Sequence, residues 1–156
     1  MTISLITVFI VTYALFSVSG FLFPVNRKWC DKLKKPSWTP SGHVIGMIRT
    51  VWYALISWSA ALVYAKTSGF QEISTAWLAL LLVNYVSNQA FSFFLYNLKN
   101  LQLAFWDCLV VALTTYLLLM ETMTYSKAAA WLLLPYLLWT CFAVFLSWMI
   151  VQMNKK

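Results

Sequence analysis

Side chains able to carry chemistry are few in this chain, and most lie inside apolar runs. Asp107 interrupts the run 101–120, and Arg49 sits in the first two turns of 44–65. Asn84, Ser87, Asn88, Gln89 and Ser92 cluster in 75–96. A charged group near the centre of a bilayer costs about 2.5–3.5 kcal/mol, and less near an end, so each such residue is a candidate functional group. Asp107 must face a helix bundle or water. Arg49 lies at comparable depth from the same end, which leaves two arrangements open. The two residues pair, or Arg49 reaches the headgroups while Asp107 bonds to a neighbouring helix. Asn84, Ser87 or Asn88, and Ser92 recur at three- and four-residue steps and form one polar stripe. Such a stripe makes interhelical hydrogen bonds, or it lines a ligand cavity together with Asp107.

Several chemistries are missing from the sequence. No nucleophile–base pair, phosphate-binding glycine loop or pair of carboxylates occurs. His43 is the only histidine, so no histidine-based metal cluster forms. Cys30, Cys108 and Cys141 are odd in number and lack C-x-x-C spacing, which argues against a zinc site and a disulfide set. Aromatic side chains are the abundant resource: nine Trp, eight Tyr and eleven Phe, more than two interfacial belts use. Trp29 and Trp38 fall at predicted interfaces. Trp52, Trp58, Trp77, Trp106, Trp139 and Trp148 fall within apolar runs. Aromatic walls with a few amides and one carboxylate suit a flat, largely apolar ligand with polar edges, and equally suit ordinary close packing.

The elements that must position these groups follow from composition. Of 156 residues, 62% are apolar and 10% charged, where a soluble domain has about 25% charged. That is apolar material for about five helical spans of roughly 20 residues. A soluble enzyme, a disordered chain and a disulfide scaffold are excluded. Runs this long without period-2 alternation also exclude a β-barrel. The reading is a single-domain, all-α integral membrane protein over 1–156, with spans at about 2–23, 44–65, 75–96, 101–120 and 128–153. The first run has no positive charge ahead of it and is read as a retained helix rather than a secretory signal. Short connections predict that consecutive helices pack as antiparallel neighbours.

Orientation follows from Lys and Arg. Arg27, Lys28, Lys32, Lys34, Lys35, Lys99, Lys155 and Lys156 share one side, against Lys66 and Lys127 on the other. Eight against two predicts the N-terminus outside, with the first loop and C-terminus cytoplasmic. The net charge of +7 is thus in large part a topology signal beside anionic headgroups.

The order of several motifs adds a resemblance. Lys35-Pro36-Ser37-Trp38-Thr39-Pro40 looks like a KPSWxPP loop, and Gly46 and Tyr53 fit a G-x-x-W-x-x-x-Y helix pattern in all but one position. Asn88-Gln89-Ala90-Phe91-Ser92, Asp107-Cys108-Leu109 and Pro135-Tyr136-Leu137-Leu138-Trp139, followed by Phe142-Ala143 and Leu146, complete the set. In these motifs the chain resembles a bacterial member of the TspO/MBR family, the tryptophan-rich sensory or translocator proteins. The resemblance implies a five-helix bundle whose structured first loop is a lid over a pocket. It further implies porphyrin or haem as a bound ligand rather than a required cofactor, sterols and synthetic drugs as further family ligands, and a homodimer. Carried over by position, the pocket would include Trp38, Asn88, Phe91, Trp106, Asp107 and Trp139, with Tyr53 and Ala143 adjacent.

The departures from the pattern bear on function. Arg49 stands where the family has a Trp, with Trp52 one turn further on. Phe91 replaces a second Trp, Ser41 a proline and Ser147 an asparagine. Light-dependent porphyrin breakdown, reported for some members, uses pocket tryptophans. No catalytic residue is therefore assigned beyond Trp139 as a candidate, and the reading favours binding over catalysis. Arg49 would pair with a porphyrin propionate or merely mark the membrane boundary. The family's terminal sterol pattern is absent, and two letter-matches at Leu62–Lys66 and Leu119–Lys127 do not support sterol recognition. A transporter or structural partner protein ranks last, because no inverted repeat is visible and Pro135 is the only proline inside a span. The expectation is a membrane protein that sequesters, delivers or senses tetrapyrroles, with no nucleic-acid partner.

Overall fold

A computed structural model describes residues 2–155. Helices α1 (Thr2–Leu22), α3 (Gly42–Lys66), α4 (Thr75–Ser92), α5 (Leu101–Met123) and α6 (Lys127–Met153) are long and apolar, and α2 (Arg27–Cys30) is one turn in the first loop. A π-helical turn, Phe93–Asn97, extends α4. At 1.5 Å per residue, helices of 21 to 27 residues match or exceed a hydrocarbon core of about 30 Å.

Helix starts are set by local chemistry. Ser41, Ser74, Asn100 and Ser126 each accept a bond from the backbone N–H three residues on, satisfying one of the free donors of α3, α4, α5 and α6. The Ser41 cap explains why α3 begins two residues before the apolar run. The turn after α3 contains Ser68, Gly69 and Phe70 at φ of 49°, 74° and 69°. A left-handed Phe is strained, and here its ring is held between Tyr64 and Trp77, with centroids 5.1 and 5.8 Å away.

The five long helices form a ring in the order α1, α3, α6, α5, α4, closed by contact of α4 with α1. This corrects one expectation. α3 and α4 are consecutive and joined by a short turn, yet they do not pack along their lengths; α1 lies between them. Small side chains allow close approach elsewhere: Ala60, Ala61, Ala104, Ala129 and Ala130 are buried, and the Ser59 hydroxyl donates to the Ala129 carbonyl at 2.9 Å.

The two ends of the ring differ. Toward the C-terminus of α3 the interior is filled by Ile56, Val63, Trp77, Leu118 and Leu133. There the Trp77 indole N–H donates to the Thr122 hydroxyl at 2.9 Å, and the Ser74 hydroxyl donates to the Glu121 carboxylate at 2.7 Å. The other end is hollow. The first loop folds back over it and is fastened to α6. The Lys34 N–H donates to the Asn154 side-chain oxygen at 3.1 Å, and the Asn154 amide donates to the Lys34 carbonyl at 2.8 Å. Lys156, counted in the charge asymmetry, lies outside the described residues.

Candidate functional site

The hollow end is a cavity of about 460 Å³, walled by α3, α4, α5 and α6 and roofed by the first loop. That volume lies within the range of small-molecule and cofactor sites. Its aromatic lining comes from Trp52, Tyr53, Phe91, Tyr96, Tyr136, Trp139 and Phe142. Trp52 and Trp139 face each other with ring centroids 6.2 Å apart, and Trp139 lies 5.3 Å from Phe142. The indole nitrogen of Trp52 is buried and has no hydrogen-bond partner.

Asn88 supplies the polar centre. The Tyr53 hydroxyl donates to its side-chain oxygen at 3.3 Å, and its amide donates to the Tyr136 hydroxyl at 2.7 Å. One asparagine thereby joins α3, α4 and α6 at the inner end of the cavity. Arg49 lies on the cavity toward its mouth. Its guanidinium donates to the Ser92 hydroxyl at 3.3 Å and the Ser19 hydroxyl at 3.5 Å, and sits 5.6 Å from the centre of the Tyr53 ring. At the roof, burial pushes the Cys30 thiol above its ordinary range, Lys35 opposing and Asp31 adding to the rise.

Of the residues expected at a ligand site, Arg49, Trp52, Tyr53, Asn88, Phe91, Trp139 and Ala143 line this cavity. Three others do not. Trp106 is 62% exposed on the outer face of α5, beside Phe105. Asp107 is also off the cavity wall, with one carboxylate oxygen buried and unpartnered. Trp38 lies one layer outside the wall, its ring 5.7 Å from Phe142 and stacked at 5.8 Å on Phe145. The considered Arg49–Asp107 pair does not form, since α3 packs against α1 and α6 rather than α5.

The reason for the α5 discrepancy is register. Successive residues on a helix are about 100° apart, and the face turned inward carries Cys108 and Val111. Tyr136, Thr140 and Leu146, all on α6, also line the cavity and were not among the expected pocket residues, although Tyr136 and Leu146 belong to the α6 motif. Each lies three residues from Trp139 or Ala143, and that spacing was the signal available. The polar stripe on α4 divides between both of its readings. Asn84 is buried and its amide is within bonding distance of the Val111 carbonyl and the Thr114 and Thr115 hydroxyls, at 3.2, 3.0 and 2.9 Å, so it ties α4 to α5. Asn88 faces the cavity. Gln89 turns to α1, accepting from the Ser19 N–H at 2.8 Å and donating to the Phe16 carbonyl at 3.0 Å.

Comparison with known proteins agrees with this architecture. The family model described as TspO/MBR family matches residues 5–153. A Bacillus subtilis membrane protein, YtaB, is 54% identical over 149 residues, covering 96% of this chain and 95% of that one. The tryptophan-rich protein TspO of Bacillus cereus is 53% identical over 151 residues, covering 97% of each chain. The human translocator protein is 27% identical over 136 residues, covering 87% of this chain and 80% of that one.

Proposed function

The chain belongs to the TspO/MBR family of multi-pass membrane proteins, and from that premise we propose that it binds porphyrins such as protoporphyrin IX or haem in the cavity under the first loop. The observation that carries the reading is the lining itself. Trp52, Phe91, Trp139 and Phe142 offer flat apolar surface, while Asn88 and Arg49 offer polar contacts at two separate points. A planar macrocycle with polar edges uses both. Sequestration, delivery or sensing of a tetrapyrrole would follow from reversible binding there.

Titrating protoporphyrin into the detergent-solubilised protein tests this. Saturable quenching of tryptophan fluorescence is expected, weakened about tenfold by Asn88→Ala, the scale of one unsatisfied buried polar contact. Trp139→Ala weakens it similarly. Non-saturable quenching, unchanged in both variants, overturns the reading.

One observation favours a second reading, light- and oxygen-dependent breakdown of the bound porphyrin. Trp52 lies on the cavity beside Trp139, so an indole pair is present although Arg49 occupies the family's Trp position. Illumination of the protein–protoporphyrin mixture would then yield a new bilin-like absorption band that Trp52→Phe diminishes.

For orientation we propose an outside N-terminus and a cytoplasmic first loop and C-terminus. The contact of Lys34 with Asn154 supports a common side for the latter two.

A further inference from the structure

The cavity holds a cation that no carboxylate among the described residues neutralises. Among the described residues, the guanidinium of Arg49 has two serine hydroxyls, at 3.3 and 3.5 Å, and the face of Tyr53 as its partners, and no carboxylate is among them. The chain has four acidic residues in all, and their places are unfavourable for pairing. Glu121 is bonded to Ser74 at the far end, and Glu72 lies in the turn before α4, also at that end. Asp107 is off the cavity wall, and Asp31 is exposed at the roof. A charge set among apolar walls is costly unless a counter-charge reaches it.

The surroundings favour an anion from outside. Arg27 and Lys35 line the mouth of the same cavity, so with Arg49 three basic side chains face one carboxylate, Asp31. The N-terminal turn of α3 also opens there through Ser41, Gly42 and His43, and adds the positive end of a 25-residue helix. Such a mouth attracts negative charge and repels positive charge before any contact is made.

We propose that Arg49 is the anion-binding subsite of the cavity, selecting aromatic ligands that carry a carboxylate over their uncharged counterparts. The proposal rests on the cavity of the porphyrin reading and adds the chemistry of the ligand's polar end. The guanidinium fork donates two parallel hydrogen bonds to a carboxylate, which a lone serine hydroxyl cannot match. Arg27 and Lys35 steer the acid toward the mouth, and the aromatic walls hold the ring.

Two matched pairs of probes test this in the detergent-solubilised full chain. The first is protoporphyrin IX and its dimethyl ester, and the second is 1-pyrenebutyrate and its methyl ester. Wild type should bind each acid on the order of tenfold tighter than its ester, the scale of a charge-assisted hydrogen bond. Arg49→Gln should remove that difference by weakening the acids alone, and Arg49→Lys should retain part of it. Equal binding of acid and ester by wild type overturns the subsite and leaves the porphyrin reading standing. An acid preference that survives in Arg49→Gln also overturns it, assigning the effect to the mouth. If only the pyrene pair binds, with Arg49-dependent preference for the acid, the porphyrin reading fails and the subsite stands. No saturable binding of any of the four probes overturns both. Should Arg49→Gln fail to fold, raising ionic strength on wild type gives a second measurement. The acid–ester difference then persists for a bidentate contact inside the cavity and collapses for attraction at the exposed mouth.

Discussion

Asn84 and Asn88 are one helical turn apart on α4, share a residue type, and differ in role. Asn84 is buried against α5, where the Val111 carbonyl and two threonine hydroxyls lie within bonding distance of its amide. Asn88 joins two tyrosines at a cavity. Replacing Asn84 by Leu should therefore lower stability by about 0.6–1.7 kcal/mol, from the average to the largest value for hydrogen bonds between membrane helices. The threonines would keep their bonds to the Val110 and Val111 carbonyls, so no acceptor is stranded by the change. Unfolding by added denaturing detergent measures the loss, while protoporphyrin affinity stays within about twofold because the cavity is untouched. The opposite pattern, intact stability with lost affinity, would reverse the two roles. Arg49 is the residue whose position mattered most. Its replacement of a family Trp was visible in the sequence, but its serine partners were not, because Ser19 and Ser92 belong to other helices.

At the level of elements, the first loop is the part whose behaviour should control access. It is pinned at one point by Asn154, which exchanges two hydrogen bonds with the backbone of Lys34, and at another by Trp38 stacked on Phe145. Removing both bonds, about 1 kcal/mol each, from a surface segment eases local opening roughly thirtyfold. Asn154→Ala should accordingly speed amide exchange in the segment around Lys34 by about that factor and leave the exchange of α5 unchanged. Hydrogen-exchange mass spectrometry of the two segments makes the comparison. Unaltered exchange around Lys34 would mean that Trp38 alone holds the loop. The α4 extension belongs to this scale as well. The π-helical turn at Phe93–Asn97 places Leu95 and Tyr96 on the cavity, and Phe93 packs 5.4 Å from Phe23 at the end of α1.

For the whole molecule, the five helices leave apolar side chains such as Ile3, Ile10, Phe21, Leu82 and Leu138 exposed around the ring. Facing lipid, these need no further partner. The cavity end gathers the basic first loop and Lys155 just beyond α6, and the packed end holds Lys66 and Lys127. With eight basic residues against two, the cavity should open toward the cytoplasm. Single cysteines introduced as Lys155→Cys and Lys127→Cys, in a chain whose own cysteines are replaced by serine, report this directly. A membrane-impermeant maleimide applied to intact spheroplasts should label the Lys127→Cys chain and spare the Lys155→Cys chain. Labelling of the latter from outside would invert the topology.

The sequence by itself determined what depends on composition and local order. Five long apolar runs require helices, because only internal hydrogen bonding satisfies backbone in hydrocarbon. Ser and Asn caps delimit those helices within a few residues, and ordered motifs point to one family. Tertiary structure decided everything that depends on which faces meet. It put α1 between α3 and α4 and turned Cys108 rather than Asp107 inward. It also left Trp106 outside the cavity and Arg49 without an acidic partner among the described residues. Apolar residues make up 17 of the 23 in α5 and occur on all its faces, so hydrophobicity alone scarcely marks its inner face. Facing is settled by small buried residues and interhelical hydrogen bonds, whose partners lie far apart in the chain.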